Sequence, residues 1–394
     1  MMKRSTKNLC LALEFVSTNR RHVLLTTVLL FVGSLLSSTA ANAATEVFFV
    51  PSGGGLNEFT GSSGSWQGPT TYFTGVGYVI PTNSTIASFA GGGKLYVCYF
   101  QQSSTFPNPQ AVHVMSSSDN VNWTVTDLST INGGAPPPDV SSGLIGFTDS
   151  NGLARVFYVG LYNGGQSHAV FEVVGNNGSW GGQGLPGPFA ANGTALAGYL
   201  FNSSPEVFYI ATDGHIHQIY QSNGNYNTTD VTAASGAPLP VSGSALMGYQ
   251  YNGNSPVYFI ASDEHIHQIW WSPSSWKTND VTAAAGAPLA ESGSPLMGYM
   301  YGSEPTVDYI ATDQHVHQMW WTGSRELTND WTAGAGGQPF TGSPLTGTSS
   351  TGVFYLDDSF QLREYWWNGS FHSTELMAFG GPPPTGTGLA VATF

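Results

Sequence analysis

Three stretches of this chain repeat almost residue for residue with a period of 50, opening at Leu196, Leu246 and Leu296. Each runs from a Leu-x-Gly-Tyr start through an apolar string (207–211, 257–261, 307–311) into Asp-x-His-x-His-Gln (213–218, 263–268, 313–318), then to Asp-x-Thr at 230–232, 280–282 and 330–332. A period in the range of about 20–50 residues means stacked supersecondary units, as in solenoids and propellers. Each unit holds four short runs parted by Gly, Pro, Asn and Ser clusters, the pattern of strands and turns. The 207–211 string is apolar throughout, as in a strand covered on both faces, and 212–215 reads as a hairpin turn feeding the next strand. Four strands in each unit describe a β-propeller blade.

The first-strand pattern recurs at 86–90, 144–148, 196–200, 246–250, 296–300, 345–349 and 389–393. Second strands fall at 47–50, 95–100, 155–159, 207–211, 257–261, 307–311 and 353–356. Seven of each are found, but the set begins on a second strand and ends on a first. The two ends therefore complete one blade together, which removes the open sheet edges that invite aggregation. The expected fold is all-β: a seven-bladed propeller of four-stranded antiparallel blades over 44–394, closed by N- and C-terminal strands. Blades one to three are the more diverged, with an insertion at 101–110 in blade two and a Gly-rich segment at 175–187 in blade three. A repeated site is best sought among blades four to seven.

Residues 1–43 lie outside the repeat. Lys3, Arg4, Lys7, Arg20 and Arg21 precede an apolar core at 23–36 and small residues ending in Ala41-Asn42-Ala43. That is the layout of a secretory signal cleaved after Ala43, and its apolar run is short for a membrane span. Without it, five basic and 23 acidic residues remain, a net charge of −18. Nucleic acid, which needs Lys and Arg to displace counterions, is excluded on that balance, and so are polyanionic glycans and insertion into membranes after cleavage. Cys98 is then the one cysteine left. With only 9% charged residues and 13% aromatics, the polar surface must come from Ser, Thr, Asn and Gln, groups suited to neutral sugars.

The pairs His215/His217, His265/His267 and His315/His317 put two imidazoles on one face of a strand, a spacing that suits zinc or copper. No acidic or Cys ligand is read as recurring beside them, so packing or sugar hydrogen bonding is expected in place of a metal, and no cofactor is assigned. The aromatic pairs Trp270-Trp271, Trp320-Trp321 and Trp366-Trp367, with Tyr220 in the weaker copy, send one ring to each side of a blade. One ring of each pair is expected in the core between blades and the other at the edge of a pocket, where a flat ring with a polar tip suits a sugar's apolar face. Asp213, Asp263 and Asp313 read as turn residues, and Asp230, Asp280 and Asp330 as loop anchors. A glycosidase needs two carboxylates facing each other at one site, whereas these acids recur once per blade.

The Asp-x-His-Ile-His-Gln-Ile-Trp-Trp string, the following Asn-Asp-Val-Thr-Ala-Ala-x-Gly-Ala-Pro and the Gly-Tyr opening resemble Photorhabdus-type seven-bladed fucose-binding lectins. More distantly they resemble the six-bladed Aleuria-type fucose lectins. The resemblance is strongest over 194–340 and implies shallow sugar pockets between neighbouring blades, without catalysis. In the Aleuria type an Arg on the second strand and a Glu on the third grip the sugar. The only counterparts read in this chain are Arg155 and Glu364, with Gln218, Gln268 and Gln318 at the third-strand position elsewhere. The expected function is a secreted, multivalent, non-enzymatic lectin for fucose or a similar neutral glycan, with a homo-oligomer compatible. Its sites would be built from His215, His217, Gln218 and Tyr220; His265, His267, Gln268 and Trp271; His315, His317, Gln318 and Trp321; and Glu364 with Trp367. The alternatives are a protein-interaction scaffold and a polysaccharide hydrolase or lyase.

Overall fold

The computed structural model describes residues 45–393 except 51–54, 73–77, 80–84, 104–109, 132–133, 177, 252, 349–351 and 379–388. The signal expected over 1–43 lies outside the described residues. So does most of the insertion expected at 101–110.

Seven antiparallel sheets follow one another along the chain. Blade four shows the pattern: Leu196–Phe201, Ser204–Ile210, Ile216–Ser222 and Asn225–Asp230, paired in sequence order. Blades five (246–280), six (296–330) and seven (345–378) repeat it, and blade three spans 144–184. Blade two departs from four strands, because the two-residue strand Tyr78–Val79 also pairs with Lys94–Ser103. Blade one closes the ring: Leu389–Thr393 lies antiparallel to Thr45–Phe49, with Thr45 opposite Thr393 and Phe49 opposite Leu389. The first strands of successive blades touch in an unbroken cycle that returns from Leu389–Thr393 to Ile86–Gly91. The ring is the expected propeller.

The apolar core is divided among the blade interfaces. Seven buried clusters each draw on two neighbouring blades: Phe208 and Ile216 meet Phe259 and Ile269 in one, and Tyr258 and Ile266 meet Tyr309 and Met319 in the next. Second strands are largely apolar on both faces because each is covered on both sides, with Glu206 and Asp308 as buried polar exceptions. The Gly of the Leu-x-Gly-Tyr opening lets blades approach closely, since a Cβ on Gly248 would sit 2.7 Å from the Tyr199 ring of the preceding blade.

Helix appears where none was expected. The Asp-x-Thr stretches form one-turn helices, α1 (Val231–Ser235), α2 (Val281–Ala285) and α3 (Trp331–Ala335). They are too short to leave a periodic trace, but their caps are legible. Asp230, Asp280 and Asp330 each accept the backbone N–H three residues on at 2.8 Å, and Gly236 and Gly286 end the turn in the left-handed region, as capping chemistry requires. The next residue but one does related work: the Thr282 hydroxyl, buried, accepts the N–H of Ile266 at 2.8 Å. Ser244, also buried, accepts the Ile260 N–H at 2.9 Å. These hydroxyls satisfy backbone groups that water cannot reach.

Candidate functional site

Side chains alternate across the third strand of each blade, and this decides what faces each cleft. In blade four Gln218 and Tyr220 point toward blade five, while Trp271, one residue out of step in blade five, points back toward them. Together with Glu206, Thr229 and Trp276 they line a pocket of about 510 Å³. Between blades five and six, Gln268, Trp270 and Asn279 face Trp321 and Glu326 around about 210 Å³. Between blades six and seven, Gln318, Trp320 and Asn329 face Trp367 and Phe371 around about 230 Å³.

The same plan recurs in all three. A glutamine forms the floor, its amide fixed from below: Gln218 Nε2 donates to Glu206 at 2.9 Å, Gln268 to the Tyr258 hydroxyl at 2.8 Å, and Gln318 to the Tyr299 hydroxyl at 2.9 Å. Aromatic rings supplied by two different blades form the walls, and Trp271 and Trp367 are among the exposed large apolar side chains of the molecule. Trp276 meets Trp271 edge-on, with ring centres 5.5 Å apart, and Phe371 meets Trp367 edge-on at 4.7 Å. Burial raises the Glu206 and Glu326 carboxyls to about 7.

Gln218, Tyr220, Gln268, Trp271, Gln318, Trp321 and Trp367 thus come together in pairs across these clefts. Trp270 and Trp320, one of each tandem pair, were expected in the core but line pockets as well. Neither is buried. Trp276, Glu326 and Phe371 were missed by sequence reading. Their signal was the hairpin into the fourth strand, which pairs 271 with 276, 321 with 326 and 367 with 371.

The histidines lie elsewhere. His215, His217, His265, His267, His315 and His317 line none of the three pockets. His217 and Gln218 are neighbours on the third strand, Ile216–Ser222, so their side chains leave opposite faces of the blade. The polar grip expected from whole His-x-His-Gln segments is therefore split, with the glutamine facing the cleft and the neighbouring imidazole on the other face of the strand. The expectation that no acid recurs beside them is also overturned. His265 Nδ1 lies 2.7 Å from Asp280 Oδ2 and His267 Nε2 lies 3.2 Å from Asp263 Oδ2. The other two blades match: His215–Asp230 is 2.7 Å and His217–Asp213 is 2.9 Å, and His315–Asp330 is 2.8 Å and His317–Asp313 is 3.0 Å. The partners are distant in sequence, brought in by the turn on one side and the fourth strand on the other.

Glu364 needs a correction too. It is completely buried, and its Oε2 accepts Trp66 Nε1 at 2.8 Å and Gly64 N at 2.9 Å. The turn of blade one fills this cleft, and Trp366 beside it stacks on His372 with ring centres 4.2 Å apart. The charged Arg–Glu pair that sequence reading failed to find is present in blade three. Arg155 Nη1 donates to Glu172 Oε1, and Tyr226 of blade four donates to the same oxygen at 2.6 Å. Glu172 occupies the position of Gln218, since each faces the central Phe of its second strand (Phe157 and Phe208).

No protein-family model matches the chain, and no curated protein matches it. Among solved structures it is similar to an arginine-to-alanine triple mutant of AofleA from Arthrobotrys oligospora, at TM-score 0.51 and 11% identity over 79% of this chain and 90% of that one. SapL1 lectin in complex with alpha methyl fucoside matches at TM-score 0.50 and 17% identity, over 77% of this chain and 98% of that one. The fucose-specific lectin from Aleuria aurantia matches at 0.50 and 16%, over 78% and 99%. At these identities the likeness is one of fold.

Proposed function

We propose that this chain is a secreted, non-enzymatic lectin that binds fucose or a similar neutral sugar in the clefts between blades four and five, five and six, and six and seven. The observation that carries the reading is the repeated cleft: a fixed glutamine amide beneath aromatic rings contributed by two blades. Flat rings take the apolar face of a pyranose and the amide takes its hydroxyls. Folds similar to this one include a lectin described as fucose-specific and another solved with alpha methyl fucoside. The repeat's resemblance to Photorhabdus-type lectins points the same way.

Each of the three linings carries a single carboxylate, Glu206, Glu304 or Glu326. Glycoside hydrolysis uses two, so binding without turnover is the supported chemistry. Weak sites on one ring gain strength together on clustered glycans. Export after loss of residues 1–43 would place the protein where such glycans are displayed. A glycan array probed with the mature protein tests the reading. Binding to fucosylated glycans, competed by millimolar free sugar, is expected, and an array without signal for any neutral glycan would refute it.

A further inference from the structure

Outside the linings of the three sugar clefts, blades four to six each bring two imidazoles and two carboxylates together. In blade five, ligand-capable atoms of Asp263, His265, His267 and Asp280 all lie within 4.8 Å of one another; Asp313, His315, His317 and Asp330 do the same in blade six, and Asp213, His217 and Asp230 in blade four. We infer that these clusters are divalent transition-metal sites of the zinc class, two with four donors and a third with three.

Four features support this. First, the spacing fits. A tetrahedral ion with bonds of about 2.0–2.1 Å sets its ligand atoms about 3.3 Å apart. Around His317 Nε2 the two carboxylate oxygens stand at 3.0 Å (Asp313) and 3.9 Å (Asp330), and Asp330 Oδ2 is 2.8 Å from His315 Nδ1. Second, the ligands are held from behind. In blade five the second oxygen of Asp263 accepts the His265 N–H at 3.1 Å, and that of Asp280 accepts the Ala283 N–H at 2.8 Å. Such outer contacts orient metal ligands. Third, the donors can be reached: the His265 and Asp280 side chains are 28% and 31% exposed, and His267 lies at the base at 9%. Fourth, two imidazole nitrogens select a borderline ion such as Zn²⁺, Ni²⁺ or Cu²⁺ over Ca²⁺ or Mg²⁺, which prefer all-oxygen sets.

The bound ion would replace both imidazole–carboxylate hydrogen bonds. It would join the turn between strands two and three to the cap of α2 or α3, tying the outer strands of the blade together. Blade seven, with Gln361 and Arg363 at the histidine positions, would have no such site.

The test is calorimetric titration of the EDTA-treated, untagged protein with ZnCl₂ at pH 7.5, with the melting temperature followed in parallel. At least two ions per chain, a melting temperature raised by zinc and restored by EDTA, and no uptake of CaCl₂ are expected. The paired variant His265→Gln with His315→Gln should lose two ions and the zinc-induced shift. Absence of zinc uptake by the wild type, equal uptake of calcium, or unchanged stoichiometry in the variant would each overturn the inference. The wild-type titrations decide even where the variant does not fold. The ion count and the melting temperature are read without sugar, and none of the proposed ligands lines a sugar cleft.

Discussion

Glu364 holds the indole N–H of Trp66 at 2.8 Å, across the seam where the last blade meets the first. In blades four to six the equivalent third-strand residue is a glutamine beneath an open cleft. Here a buried acid and an indole close the cleft instead. One position of the repeat thus serves two purposes, sealing the ring in one place and flooring a pocket in others.

Trp66→Ala should therefore unseal this cleft at a cost to the fold. Truncating a packed indole and taking one of two donors, the other being the Gly64 N–H, from Glu364 should cost about 3 kcal/mol, read from the urea midpoint at constant slope. A change below about 0.5 kcal/mol would show that the contact contributes little.

Removing 389–394 should be more damaging still. Leu389–Thr393 is the innermost strand of blade one, and five residues of Thr45–Phe49 pair with it. Without it that edge is open and its apolar neighbours Phe48 and Val50 are uncovered. The truncated chain is expected to aggregate on refolding, visible by light scattering, where the full chain stays monodisperse.

Thr282→Val tests the buried hydroxyls. The shape is kept, but the Ile266 N–H loses its acceptor, so a loss of about 1–3 kcal/mol is expected. Asp280→Ala, which removes the helix cap and the partner of His265, should cost about 1–2 kcal/mol. Both are read from chemical denaturation.

Stability should rise as pH falls from 8 toward 5. Burial raises Glu58, Glu206, Glu326 and Glu364 to about 7 and Asp308 to about 8. A carboxyl whose folded value lies above its unfolded one binds more protons when folded, so its stabilising share is complete below the ordinary carboxylate range and is lost as pH climbs through 7 to 8. At lower pH the sign reverses. Burial tends to raise Asp263, but the His265 backbone N–H and the His267 side chain prevail and hold it below its ordinary value. Its contribution is present above that ordinary value and is lost as pH drops beneath it. Thermal melts from pH 3 to 9 should therefore peak on the acid side of neutrality.

The ring was legible because its causes are local and repeated. Apolar second strands, Leu-x-Gly-Tyr openings and the unmatched strands at the two ends state the blade count directly. The clefts were half legible: alternation gave the tandem aromatics two faces, but which cleft stays open depends on neighbours that the repeat does not encode. Glu172 went unread in a diverged blade, and nothing near Glu364 announces Trp66, which comes from the far end of the chain. The acids beside the histidines were visible as residues but not as partners, because Asp280 reaches His265 only through the strand register that sets it opposite His267.

Trp321→Ala should weaken sugar binding at one cleft only. The loss of a ring face is worth about 1 kcal/mol, roughly fivefold in affinity. The half-exposed position should keep the change in stability small.

The most direct test of the central claim is isothermal titration of residues 44–394 with alpha methyl fucoside, beside galactose and mannose controls. Saturable binding of three sugars per chain is predicted, falling to two in Trp321→Ala under conditions where the weakened site no longer fills. Heats no larger than dilution for every neutral sugar, with the ring intact by circular dichroism, would contradict it.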